Sequence, residues 1–102
     1  GEWVYAGYSG TQVRWTNVYV KGMTRTSGTN VRLYVKYDNF GDKQVDHTVA
    51  LEEFNCKTHF SRDLSSKTVY LSGEYRTWGI GPWEGVVPDS IGEMLERIAC
   101  SS

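Results

Sequence analysis

Apolar and polar positions alternate with a period of two from Asn30 to Asp38: Val31, Leu33, Val35 and Tyr37 fall on one side, Arg32, Tyr34, Lys36 and Asp38 on the other. Successive side chains of a strand point to opposite faces, so the run predicts a strand with one core face and one wet face. A second run, Val45 to Cys56, puts Ala50, Phe54 and Cys56 on a shared face, with Glu52 as the exception among them. Trp3–Tyr8 and Gln12–Thr16 read as a first hairpin around Ser9-Gly10-Thr11. Asn39 to Lys43 is a turn. Residues 17–27 mix strand-like Val18-Tyr-Val20 with the turn chemistry of Gly22 and Thr26-Ser27-Gly28, and their state stays open. After Asn55-Cys-Lys57, a weakly alternating strand-like segment runs to Leu71, with a break expected at Asp63 or Ser65-Ser66 and an end at Ser72-Gly73. A final pair of strands follows.

The pattern changes after Pro88. Ser90 and Glu93 have the spacing of a capping box, in which the hydroxyl takes the Glu93 amide and the carboxylate reaches back to the Ser90 amide. Beyond it, Ile91, Leu95, Ile98 and Ala99 form one apolar stripe with Met94 beside them, leaving Glu93, Glu96 and Arg97 for water. A helix of about ten residues is too short to be stable alone, so packing must hold it. Cys100 at its end is the natural tether, and Cys56 is the other cysteine of the chain. A Cys56–Cys100 disulfide suits an oxidising compartment; two free buried thiols in a reducing one fit the same sequence.

Composition agrees with a sheet protein. The 102 residues suffice for one core and one domain, 1–102, and 14% aromatic residues, eleven glycines and two prolines favour strands outside the C-terminal stretch. A net charge of −1 supplies no global field to recruit nucleic acid or an anionic membrane, and neither is expected as a partner. Charge is nevertheless uneven, since Arg14, Lys21, Arg25, Arg32 and Lys36 face Glu2 alone within residues 1–36. No stretch approaches the roughly eighteen apolar residues of a membrane-spanning helix. The expectation is a soluble fragment, ahead of which any signal peptide or lipid-anchored tether would have been removed.

No constellation points to catalysis. Gly79-Ile-Gly81-Pro82 lacks the Lys-Ser/Thr of a phosphate loop and reads as a turn that lets Trp78 and Trp83 pack under the helix. Cys56-Lys-Thr-His59 is half a zinc site without its second half, and on a strand its two side chains face opposite sides. Glu52 and Glu53, as strand neighbours, also point apart and read as solvated strand charges. A Gly-x-Ser-x-Gly elbow does not occur. No enzyme, cofactor or metal is expected. The tryptophans read as mostly core. The wet stripe Arg32, Tyr34 and Lys36, with Arg14 joining from the first hairpin, is the candidate partner surface, because exposed Tyr and Arg are what protein-binding surfaces use.

Together these pieces resemble the surface-adhesin protein E family of Gram-negative bacteria. The resemblance lies in Trp3-Val-Tyr-x-Gly, Val31-Arg-Leu-Tyr-Val-Lys-Tyr-Asp38, Val49-Ala-Leu-Glu-Glu-Phe-Asn-Cys56, Val69-Tyr-Leu-Ser-Gly73, and Pro82-Trp83 leading to Val87-Pro-x-Ser-Ile-Gly-Glu93 and Cys100. Thr16 to Met23 departs from the family pattern, so residues 17–27 do not inherit its geometry. The resemblance implies an α+β fold: a curved antiparallel sheet of about five to six strands, with one C-terminal helix docked on its concave face and tied there by the disulfide. It further implies a surface-exposed or lipid-anchored adhesion module of the periplasm, outer membrane or cell surface, binding host matrix or serum proteins such as laminin and vitronectin. The alternative is a periplasmic structural or inhibitory subunit that binds another bacterial protein. Either role leaves homodimerisation open.

Overall fold

The period-two run of residues 30–38 lies inside an eleven-residue strand, and the rest of the sheet is built outward from it. The computed structural model describes residues 2–101. Its strands are β1 (Val4–Gly10), β2 (Trp15–Arg25), β3 (Asn30–Phe40), β4 (Val45–Asn55), β5 (Phe60–Tyr70), β6 (Tyr75–Trp78) and β7 (Glu84–Gly85), followed by one helix, α1 (Ile91–Cys100). Strands β1 to β6 follow one another antiparallel across an open sheet in chain order, and β7 pairs with β5 beyond β6. The expected α+β class is the one observed, with six strands in chain order as expected and a short seventh, β7, in addition.

The segment left open between residues 17 and 27 is largely strand. Residues 17–25 continue β2, and the turn chemistry produces a bulge between Lys21 and Thr24 in its pairing with β3. Gly22 sits in that bulge at φ +65°, a conformation that L side chains seldom adopt. The break expected near Asp63 to Ser66 is likewise a bulge. Strand β5 is continuous, but Leu51 faces Ser65 and Glu52 faces Asp63, leaving Leu64 as the extra residue. In the first hairpin, Ser9 and Gly10 remain in β1 and the loop is residues 11–14, where Thr11 Oγ1 accepts from the amides of Val13 and Arg14.

On one face of the sheet Val18, Val31, Leu33, Val35 and Phe54 meet Leu95 and Ala99 of α1 in a fully buried cluster. Ile91, Met94 and Cys100 pack at its margin, while Ile98 is only half-buried. The helix lies over β1, β3 and β4. Met94 of the helix reaches β1 at Gly7, whose φ of +155° is one that L side chains rarely adopt and where a Cβ would stand 2.6 Å from the Met94 sulfur.

Ser90 caps the helix as the spacing predicts, accepting the Glu93 amide at 3.2 Å. The return contact differs. Glu93 Oε1 takes the amide of Asp89, at 3.2 Å, and not that of Ser90, because Asp89 adopts a left-handed conformation one residue earlier. Cys56 and Cys100 are joined in a disulfide across a Cα–Cα distance of 5.6 Å, tying the end of α1 to the end of β4. Glu96, expected to be left to water, is largely covered and lies 3.2 Å from His59 Nδ1, a second tie between the helix and the β4–β5 turn.

The tryptophans depart most from expectation. Trp3 and Trp15 are half-buried, Trp78 and Trp83 are exposed, and none packs beneath the helix. One short helix over one sheet leaves a thin interior that branched aliphatics and Phe54 already fill. The aromatics instead occupy the sheet's edge and its other, uncovered face.

Candidate functional site

Strand register sorts the polar residues onto two faces. Opposite Tyr34 of β3 stand Lys21 on β2 and Leu51 on β4, and Leu51 in turn faces Ser65 on β5. By the same register this face carries Lys21, Arg32, Lys36, Arg62 and Lys67, with Asp38 and Glu53 as its paired-strand carboxylates. No helix covers it. Tyr34 is 42% exposed and borders a groove of about 520 Å³ floored by Val49 and Leu51, with His47, Ser65 and Lys67 along it.

Cations and rings alternate across the face. The Lys21 ammonium lies 4.6 Å from the Trp3 ring centre and that of Lys36 5.7 Å from Tyr19, while Arg62 stacks at 4.4 Å on Trp83 and Lys67 at 4.5 Å on Tyr75. Such pairs keep long charged side chains extended against the sheet. Glu53 is the anchor of this network and is only 3% exposed. Burial alone would raise its pKa, but hydrogen bonds from Asn30 Nδ2 and Arg62 Nε, with the charges of Arg62 and Arg32, hold it below the usual range. The reading of Glu53 as a solvated strand charge is therefore corrected: it is a buried, paired ion.

The residues expected to form the partner surface are only partly brought together. Arg32, Tyr34 and Lys36 share the face, with Lys36 also 3.6 Å from Asp38 and Arg32 Nε 3.6 Å from Glu53. Arg14 lies at the opposite end of the β2–β3 pair, beside Asp42 and eight residues along the ladder from the level of Arg32, which is roughly 25 Å. It does not join the row.

The helix-side face holds a feature that the sequence reading missed. Beyond the apolar half covered by α1, the face continues into a cleft of about 620 Å³ lined by Tyr37, Glu52, Asp63, Thr68 and Trp78 and closed along one side by Gly79–Gly81. Gly81 is fixed there by its amide, which donates to the Asp63 carbonyl at 2.8 Å. Glu52 is 8% exposed and accepts a hydrogen bond from the Tyr37 hydroxyl. It too departs from the solvated charge expected of it. Burial pushes its carboxyl up to about 7, the Tyr37 hydrogen bond opposing and the Asp63 charge assisting. Tyr37 is held well above the usual phenol range, by burial first and then by Glu52, so it stays neutral and donates. Asp63, although exposed at the surface, is also raised, by the partial desolvation of its carboxylate and by the charge of Glu84. The signal in the sequence was Glu52 itself, the one polar exception on an apolar face, together with Tyr37 at the end of the apolar row.

Both cysteines are in the disulfide, so neither supplies a thiolate to His59. Among the described residues no helix is long and apolar enough to cross a membrane. No protein-family model, no curated protein and no solved structure matches this chain.

Proposed function

We propose that this chain is a non-enzymatic extracytoplasmic binding module that holds an acidic segment of a partner protein on the open face of its sheet. The observation that carries the reading is Tyr34, an exposed ring over an apolar floor of Val49 and Leu51 on a face that no other element covers. Aromatic anchors beside small apolar pockets are where binding energy concentrates, and the surrounding cations Lys21, Lys36, Arg62 and Lys67 complement an acidic ligand. The Cys56–Cys100 disulfide is compatible with a secreted or periplasmic location. The resemblance to surface-adhesin protein E supports a matrix or serum protein as the partner.

The test is biolayer interferometry of laminin and vitronectin against wild type, Tyr34→Ala and a Lys36→Ala/Lys67→Ala double variant. Tyr34→Ala is expected to weaken binding by about thirtyfold, as loss of an anchor does. The double variant should slow association and flatten its dependence on salt. Unchanged binding by both folded variants overturns the assignment of the face. Binding of a bacterial envelope protein and of neither host protein favours the periplasmic-subunit reading.

A further inference from the structure

The helix-side cleft opens on the opposite face from Tyr34, and Trp78 on the edge strand borders both it and the open-face groove. Its chemistry is one-sided. Glu52 and Asp63 are direct partners across β4 and β5, so their side chains leave the same face of the sheet about 5 Å apart at the backbone. Among the described residues no Lys, Arg or His lines the cleft, and Arg76, opposite Thr68 in register, borders a separate hollow with Tyr70 and Glu74. Glu52 is more than nine-tenths buried, and only one of its oxygens is used, by Tyr37. Its second oxygen has no partner among the described residues, and the Asp63 carboxylate has neither hydrogen bond nor ion pair there. Burying a carboxylate without a counterion is costly, and facing a second one adds repulsion. A positive group entering the cleft would offset the cost of ionising Glu52 beside Asp63.

The surroundings narrow the kind of cation. A volume of about 620 Å³ is far larger than a bare metal ion needs, and two carboxylates with hydroxyls fall short of an oxygen cage for one. The walls offer the indole of Trp78, an aromatic plane on the neighbouring strand at the level of Ala50, two residues along β4 from Glu52. A guanidinium suits this set: it is planar, always charged, stacks on aromatic faces and carries five donors that fork onto carboxylates. An ammonium is a compact point charge that uses neither the plane nor the fork.

We propose that the Glu52–Asp63 cleft is a binding site for an arginine side chain presented by a partner protein, separate from the open-face surface around Tyr34. Glu52 Oε1 and the Asp63 carboxylate receive the guanidinium protons, Tyr37 orients Glu52 from behind, and Trp78 covers the flat side of the group.

Titration of ¹⁵N-labelled protein at pH 8 with N-acetyl-arginine methylamide tests this, with the citrulline analogue as its neutral isostere and the lysine analogue as the ammonium. The arginine probe is expected to shift the Trp78 indole N–H and the Gly79 and Gly81 amides saturably, with the citrulline and lysine analogues at least about tenfold weaker. Asp63→Asn, at an exposed residue that leaves the Tyr37–Glu52 pair intact, should weaken the arginine probe by a similar factor, as should Glu52→Gln. Tyr34→Ala should leave the arginine affinity read at the Gly79 and Gly81 amides unchanged. Absence of saturable shifts at these groups overturns the site. Equal binding of citrulline overturns its selectivity for charge, and equal binding of lysine overturns the guanidinium assignment. If Glu52→Gln does not fold, Asp63→Asn decides alone.

Discussion

Tyr37 donates its hydroxyl to Glu52 at the boundary between the apolar half of the sheet face and the polar cleft beside it. The pair makes stability depend on pH with a definite sign. The Glu52 carboxyl stands at about 7 against an ordinary 4.5, so the folded state keeps a proton that the unfolded chain releases. Its stabilising contribution is full below pH 4.5 and is lost as pH rises through about 7, on the order of 3 kcal/mol in all. Asp63, raised in the same direction, adds to this trend. Glu52→Gln cannot ionise and keeps an acceptor for Tyr37, so its melting temperature should exceed that of wild type increasingly from pH 5 to pH 8. Parallel curves across that window would rule out Glu52 as the titrating group.

The disulfide closes a loop of 44 residues between β4 and the end of α1. On the chain-entropy model such a link contributes about 4 kcal/mol by restricting the unfolded chain. Cys56→Ala/Cys100→Ala should lower the urea midpoint accordingly, and mass spectrometry of unreduced wild type should show a Cys56–Cys100 cross-linked peptide. A double variant as stable as the parent would contradict this account of the tether.

Leu95 is 1% exposed in the cluster with Leu33, Val35 and Phe54. Leu95→Ala should cost about 2–5 kcal/mol, as truncations of buried leucines do, while Arg97→Ala on the exposed side should cost under about 1 kcal/mol. Equal small effects in urea unfolding would mean that the helix does not depend on that contact.

These contrasts show which parts of the fold were legible in the chain. The helix, its Ser90 cap and its Cys100 tether each rest on residues within ten positions of one another or on the single cysteine pair, and local chemistry settles such features. The parity of Val31, Leu33 and Val35 was equally plain. What sequence could not convey is that the sheet has a cover on only one face. That fact turns Trp78 and Trp83 outward, and it makes Glu53 the buried centre of a network on the open face, held by Arg62 nine residues away. The cleft around Glu52 needs β3, β4, β5 and the Gly79–Gly81 segment together, and no local pattern joins them.

The Glu53 network decides how the open face can be probed. Arg62 gives Glu53 two contacts, Nε at 2.9 Å and Nη2 at 2.8 Å, whereas Arg32 Nε stands 3.6 Å away and makes no hydrogen bond. Removing one partner of a buried pair leaves an uncompensated charge, so Arg62→Ala should destabilise the fold by about 3–5 kcal/mol. Arg32→Ala should cost much less. Arg32→Glu, by contrast, sets a second carboxylate beside a buried one and should lower the melting temperature markedly, so its effect on binding would be mixed with loss of structure. Thermal melts of the three variants check the order Arg62→Ala and Arg32→Glu well below Arg32→Ala. If Arg62→Ala melted with wild type, Glu53 would have to take its compensation from Asn30 and Arg32 alone, and the open face would tolerate charge changes that this network forbids.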